Sequence, residues 1–251
     1  MRASWIGKAA RHWRHGRIVG RRFAERRPAI GIALRAAGPD SVLLAGNSHA
    51  EFLGTPDFGG RPCINLAVGG STAADCAGHL AALRVPVRCA ASVLIIGTND
   101  IQRWRHPERA RSVERFEAQA RRILRILEGW SARVLVAAVP PIGAWATGRD
   151  PAAIAAFSGR LAALCAERGH GFIDPFAALR DGPGGLAGPG LYRDGVHLAD
   201  YTALAAEIVR LAVNDPALSA SRTVRAVAPA SVPPLRVLHA AWGSPPMSLR
   251  P

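Results

Sequence analysis

From residue 41 onward the chain alternates short apolar runs with longer segments whose apolar positions recur at helical spacing. The runs SVLLAG (41–46), CINLAV (63–68), ASVLIIG (91–97), ARVLVAAVP (132–140) and HGFID (170–174) read as five strands. The third is apolar on both faces, as a strand in the middle of a parallel sheet must be. Helical periodicity covers roughly 72–84, 107–129, 151–168 and 199–213, the last containing TALAAEIVRLAV. Strand and helix in strict alternation with short links imply right-handed crossovers, hence a parallel sheet with helices on both faces.

The flanks follow a different pattern. Residues 1–38 interleave Trp5, Ile6, Trp13, Ile18, Val19 and Phe23 with arginines. They read as a basic, partly helical arm: an amphipathic helix for an anionic membrane surface, an Arg-rich helix lying on the body, or a frayed leader. The body spans 39–214. After Asp215 the sequence is rich in Ala, Ser and Pro without periodicity, so 215–251 is expected to be a poorly ordered tail. DGPGGLAGPG (181–190) reads as a Gly/Pro-rich loop that gives the segment after it room to adjust.

Composition narrows the class. With 251 residues, 49% of them hydrophobic, the chain is long enough for one sizeable α/β domain plus extensions. No run of 18 apolar residues occurs, so no transmembrane helix is expected. The net charge of +14 is uneven: residues 1–38 hold ten Lys/Arg against one acid, leaving only +5 for the remainder. The body is thus mildly basic and shows no nucleic-acid-binding pattern, and nucleic acid is not expected as a partner. Cys63, Cys76, Cys89 and Cys165 lack metal-site spacing and are expected as buried thiols of a reducing compartment. The arm lacks the apolar core of a secretory leader, and Arg35 interrupts the apolar stretch after its twin arginines. The expected location is therefore cytoplasmic, peripheral to a membrane if the arm engages one, with export the alternative.

Candidate chemistry sits where regular elements end. Ser48 follows the first strand in LLAGNSHAE, Asn99 the third in VLIIGTND, and Asp194 and His197 precede the last helix in YRDGVHLAD. Parallel sheets collect functional groups at such edges. A serine hydroxyl needs a base within hydrogen-bond reach, which His197 can supply, and Asp194 can turn back through Gly195 to hold the other ring nitrogen. Attack on a carbonyl creates an oxyanion, for which the N–H groups of Ser48 and Gly70 and the Asn99 amide are candidate donors; losing one such donor typically costs about 3 kcal/mol of barrier. Read in isolation, Ser48 with Glu51 three residues on is a helix N-cap with a capping box. His49 reads as structural and Asp100 as support for its loop. Asp174 is a weaker alternative acid, because it lacks the local spacing to His197.

These runs resemble the SGNH (GDSL-type) hydrolase family. GNSHAE is similar to its first block, NLAVGGST to the second, GTND to the third and DGVH to the fifth, in the family's order over roughly residues 41–213. The resemblance implies a flavodoxin-like three-layer α/β/α fold with a five-stranded parallel sheet. It also implies Ser48, Asp194 and His197 as catalytic triad, with Ser48, Gly70 and Asn99 as oxyanion hole and no metal or organic cofactor. Asn47 departs from the family, which usually has Asp before the serine, and the double glycine leaves Gly69 as an alternative to Gly70. The expected activity is hydrolysis of an ester through an acyl-enzyme on Ser48. The substrate is expected to be a small acyl ester or an O-acylated glycan or lipid, with a carbohydrate O-acyl group preferred. Arg103 and Trp104, with Arg105, are candidates for lining the cleft mouth. An acyltransferase using the same site and a binding module with a decayed site are the alternatives.

Overall fold

The computed structural model describes residues 2–181 and 186–214, with side chains described from residue 10 onward. The expected tail (215–251) and the middle of the Gly/Pro-rich loop (182–185) lie outside the described residues. In chain order the elements are α1 (Arg2–Arg35), β1 (Val42–Gly46), α2 (Ser48–Phe52), β2 (Cys63–Asn65), α3 (Ala73–Ala81), β3 (Cys89–Ile95), α4 (Ala110–Trp130), β4 (Ser131–Ala137), α5 (Ala152–Arg168), β5 (Gly171–Ile173) and α6 (Thr202–Val213).

The five strands form one sheet in the order β2-β1-β3-β4-β5, every neighbouring pair parallel. Side chains alternate across it, as a period of two requires. Leu43 and Ala45 of β1, with Leu94 of β3, join a core that packs against α3, α4 and α5. Val42 and Leu44, with Val93 and Ile95, join a second core that includes Ala50 of α2 and Leu204 and Ile208 of α6. Helices on both faces of a parallel sheet make the three-layer α/β/α arrangement that the sequence predicts.

Boundaries shift modestly. The second run stops being a strand at Asn65, yet Leu66 and Val68 still donate to the carbonyls of Leu44 and Gly46 at 2.7 and 3.1 Å. The short helix α2 is absent from the periodicity reading, because five residues are too few to show a period. Its N-cap is Asn47, whose Oδ1 accepts from the His49 N–H at 3.0 Å. Ser48 is therefore the first helical residue rather than the cap, and the capping box read from Ser48 and Glu51 does not form.

Residues 2–35 form one helix. Val19, Ile30 and Leu34 are buried, and Ile30 and Leu34 belong to the α3–α5 core. The opposite side of α1 leaves Trp13, Ile18 and Ile32 exposed.

The loops that carry the candidate residues are tied to each other. The Ala73 N–H, in the first turn of α3, donates to both carboxylate oxygens of Asp100 at 3.1 Å. Burial pushes the Asp100 carboxyl up to about 7, against the opposing pull of the Ala73 hydrogen bond and the Arg105 charge. The folded protein thus keeps a proton that the unfolded chain releases near pH 4, so this group withdraws stability as pH rises from about 4 through about 7. Asp100→Asn, which retains an acceptor for Ala73, is expected to gain stability relative to wild type progressively across that window. Urea midpoints measured at pH 4 to 8 check this; a constant difference across the range would contradict it.

Candidate active site

The chain leaves β1 through Gly46, whose φ is +140° and where a Cβ would fall 2.0 Å from the carbonyl oxygen of Ile95. Only glycine fits there. Asn47 then donates its N–H to that same carbonyl at 3.0 Å, and Ser48 opens α2. As the first helical residue, Ser48 has an N–H with no carbonyl partner within its helix.

Ser48 Oγ lies 2.9 Å from His197 Nε2, and His197 Nδ1 lies 2.7 Å from Asp194 Oδ2. The other Asp194 oxygen accepts the N–H groups of Val196 and His197 at 3.0 and 2.7 Å. Gly195, at φ +78°, makes this return possible. Burial works against the charged Asp194 carboxylate, but the hydrogen bonds from His197 and Val196 prevail and hold its pKa well below the usual carboxylate range. With Nδ1 donating to that carboxylate, Nε2 is left as the acceptor for the serine O–H. The arrangement can take a proton from Ser48 and stabilise the cation that results.

Two more loops reach this point. Gly97, at φ +106°, turns the chain out of β3 at a spot where a Cβ would strike Val139. Asn99 follows, buried, its Nδ2 donating to the Ser71 carbonyl at 3.0 Å. Arg149 fixes the other end of that amide: Nη2 donates to Asn99 Oδ1 at 3.1 Å and Nε to the Thr98 carbonyl at 2.9 Å. On the second loop Gly69 lies against the nucleophile candidate, since a Cβ there would be 3.6 Å from Ser48 Cβ. The Gly69 N–H is taken by Glu51 Oε2. The Gly70 N–H, at φ +83°, has no hydrogen-bond acceptor among the described residues.

His49 points away from the serine. It is fully buried, its Nδ1 lies 3.1 Å from the Tyr201 hydroxyl, and its ring is 5.9 Å from that of His197. Burial first, then the neighbouring His197 and Arg149, lower its pKa to about 3, so it stays neutral. Asn47 uses its oxygen as the cap, whereas its Nδ2 is buried without a hydrogen-bond partner among the described residues, so the donors that Asn adds over Asp go unused there. Asp174, the alternative acid, is engaged by Arg180 and by the Phe176 N–H. Arg103 donates to the Thr147 carbonyl at 3.1 Å, and Trp104 contacts the His12 ring of α1 edge-on and carries the Arg105 guanidinium over its own ring. Neither has a hydrogen bond or ring contact with Ser48, Asp194 or His197 among the described residues. All four cysteines are free thiols, and no group of three His, Cys, Asp or Glu side chains able to hold a metal occurs among the described residues.

Glu51 and Arg149 escape the sequence reading. Arg149 is one arginine among many, in a loop whose partner is fifty residues away. Glu51 carries a capping-box signal that points to the wrong partner.

No protein with a curated function matches the chain. Solved structures do. A GDSL-like lipase from Bacteroides thetaiotaomicron is 17% identical at a TM-score of 0.58, covering 76% of this chain and 96% of that one. The lipase/acylhydrolase from Enterococcus faecalis is 19% identical at a TM-score of 0.53, covering 69% and 95%. The acetyl xylan esterase AlAXEase is 18% identical at a TM-score of 0.55, covering 69% and 99%. At such identities these likenesses speak for the fold. The family itself comes from the sequence: the profile of the GDSL-like lipase/acylhydrolase family matches residues 21–201, from within α1 to the threshold of α6. By that match the chain belongs to the GDSL-like lipase/acylhydrolase family, and it is an esterase.

Proposed function

We propose that the protein hydrolyses a small O-acyl ester through an acyl-enzyme on Ser48. The observation that carries this reading is the unbroken hydrogen-bond chain from Ser48 through His197 to Asp194. As Ser48 Oγ bonds to the acyl carbon, its proton passes to His197 Nε2, and Asp194 stabilises the imidazolium without taking the proton. The carbonyl oxygen becomes an oxyanion that accepts from the Ser48 and Gly70 N–H groups and from the second amide hydrogen of Asn99, the first being committed to Ser71. His197 returns its proton to the departing alkoxide as the C–O bond breaks. Water, giving a proton to the same imidazole, then attacks the acyl carbon; the bond from that carbon to Ser48 Oγ breaks, and His197 returns the proton to Oγ as the acid departs. Arg149 orients the Asn99 amide so that nitrogen, not oxygen, faces Ser71.

Water has access to this site. The Asp194 and His197 side chains are 50% and 25% exposed, which favours hydrolysis over transfer to another alcohol. The intact hydrogen bonds argue against a decayed binding module. Trp145, 53% exposed, stands beside Gly195, where a Cβ would meet its ring at 2.8 Å. An aromatic face next to the triad suits a sugar ring, and supports a carbohydrate O-acyl ester over a long-chain lipid.

The outward side of α1 supports a peripheral contact with anionic membrane. Trp13 and Ile18 are exposed among Arg14, Arg17 and Arg21, with the Arg17 guanidinium 4.7 Å from the Trp13 ring. Because Ile30 and Leu34 belong to the core, deleting the whole arm would not isolate this role; outward substitutions do.

Three measurements test these readings. Ser48→Ala should abolish hydrolysis of p-nitrophenyl acetate and acetylated xylan and labelling by a fluorophosphonate, a loss on the order of 10⁴-fold or more. Arg149→Met, which keeps the stem but removes both hydrogen bonds, should lower kcat roughly tenfold to a hundredfold with KM little changed; equal kcat would sink its orienting role. Trp13→Ala combined with Arg14→Glu and Arg17→Glu should abolish salt-sensitive pelleting with phosphatidylglycerol vesicles while p-nitrophenyl acetate turnover stays at the wild-type rate. Undiminished pelleting would refute the contact.

A further inference from the structure

The inward side of α1 reaches the segment that carries the Gly70 N–H at several points. Val19, buried, forms the floor beneath Gly70: a Cβ there would lie 3.4 Å from Val19 Cγ2. Phe23 stacks on His79 at 4.3 Å between ring centroids, and His79 Nδ1 lies 3.5 Å from Ser71 Oγ. His15 Nε2 lies 3.2 Å from Asp75 Oδ2. Asp75 in turn closes the capping box with Thr72 that starts α3.

Glu51 stands at the centre of these contacts. It lies three residues after Ser48, on the same short helix, and its two oxygens have different partners. Oε2 accepts the Gly69 N–H, and Oε1 receives Arg26 Nη1 from α1 at 3.2 Å. Arg26 also points Nη2 at the Asn65 carbonyl, 3.4 Å away at the end of β2. Arg22 closes over the same spot, since a Cβ at Gly69 would meet Arg22 Nη1 at 2.8 Å and Glu51 Oε2 at 2.9 Å. One carboxylate therefore joins the helix that holds the serine to the peptide just before Gly70, and a guanidinium from α1 holds the carboxylate.

We propose that Glu51 and Arg26 are positioning residues for the oxyanion hole, and that α1 is thereby part of the catalytic scaffold. Two adjacent glycines have wide conformational freedom. A donor aimed at a transition state works only when its place is fixed beforehand, and a displacement of about 1 Å can cost on the order of a hundredfold in rate. Glu51 removes that freedom by occupying the Gly69 N–H, which leaves the Gly70 N–H as the one presented to the acyl oxygen. The inference rests on the assignment of Gly70 as a donor made above.

The test uses the full chain with p-nitrophenyl acetate as substrate and butylboronic acid as a tetrahedral analogue formed on Ser48. Glu51→Ala should lower kcat roughly tenfold to a hundredfold with KM within about twofold, and weaken boronate inhibition by a similar factor. Arg26→Ala should show a smaller loss of the same kind, largely restored in Arg26→Lys. Glu25→Ala, which removes an exposed pair with Arg21 on the same helix, should match wild type. A purely structural role would lower the melting temperature while leaving kcat and boronate affinity of the folded variant intact; that result overturns the proposal. If Glu51→Ala does not fold, Arg26→Ala decides, and wild-type kcat and boronate affinity there overturn it equally. Activity surviving in Ser48→Ala would instead bring down the acyl-enzyme reading, whereas an inactive Ser48→Ala beside a fully active Glu51→Ala defeats this inference alone.

Discussion

Two parallel strands bonded side by side must end at the same edge of their sheet, and the candidate active site depends on β1 and β3 doing so. Their register sets Gly46 opposite Ile95, and the next N–H, from Asn47, is still bonded to Ile95. Beyond that point the chains diverge, one into the helix that begins at Ser48 and the other into the turn that holds Asn99. Because β2 lies on the other side of β1, the connections leave in opposite directions and open a crevice there. The glycine at each exit is demanded by that closeness. At Gly46 a side chain would occupy the space of a neighbouring carbonyl, and at Gly97 that of Val139.

Past the strands, the site is held by side chains bonded to backbone rather than by regular structure. Asp100 ties the third block to the start of α3, Asn99 ties it to Ser71, and Arg149 ties both Thr98 and Asn99 to a loop that follows β4. Asp194 does the same within its own turn, accepting two backbone N–H groups while it holds the imidazole. Each bond spans segments remote in sequence or fixes a tight turn, so the geometry is set before a substrate arrives. That prior fixing is what the proposed oxyanion hole needs.

How far the sequence discloses this depends on how local each signal is. The central strands are evident because burial on both faces leaves a run with no polar residue, as in Val93 to Ile96. The edge strands β2 and β5 keep only three residues each, so their ends blur into the loops. Asp194 and His197 can be paired from the sequence because three residues and a glycine suffice to bring them together, a closeness Asp174 lacks. The inner side of α1 is harder to read. His15, Arg22 and Arg26 share it with Val19, Phe23, Ile30 and Leu34, and these polar residues mask the apolar stripe that would mark a helix packed on a body. Glu51 and Arg149 are out of reach for a related reason: their partners are set by the tertiary fold, and no spacing announces them.

The burial of His49 carries a consequence for proton traffic. Two imidazoles lie within 6 Å of each other at this edge, yet His49 is fully buried and anchored by Tyr201, and its burial favours the neutral ring. In the proposed mechanism a hydrogen ion released by the serine goes to His197, because His49 is held by Tyr201 instead. On that reading the same ring both receives the proton and returns it to the departing alcohol.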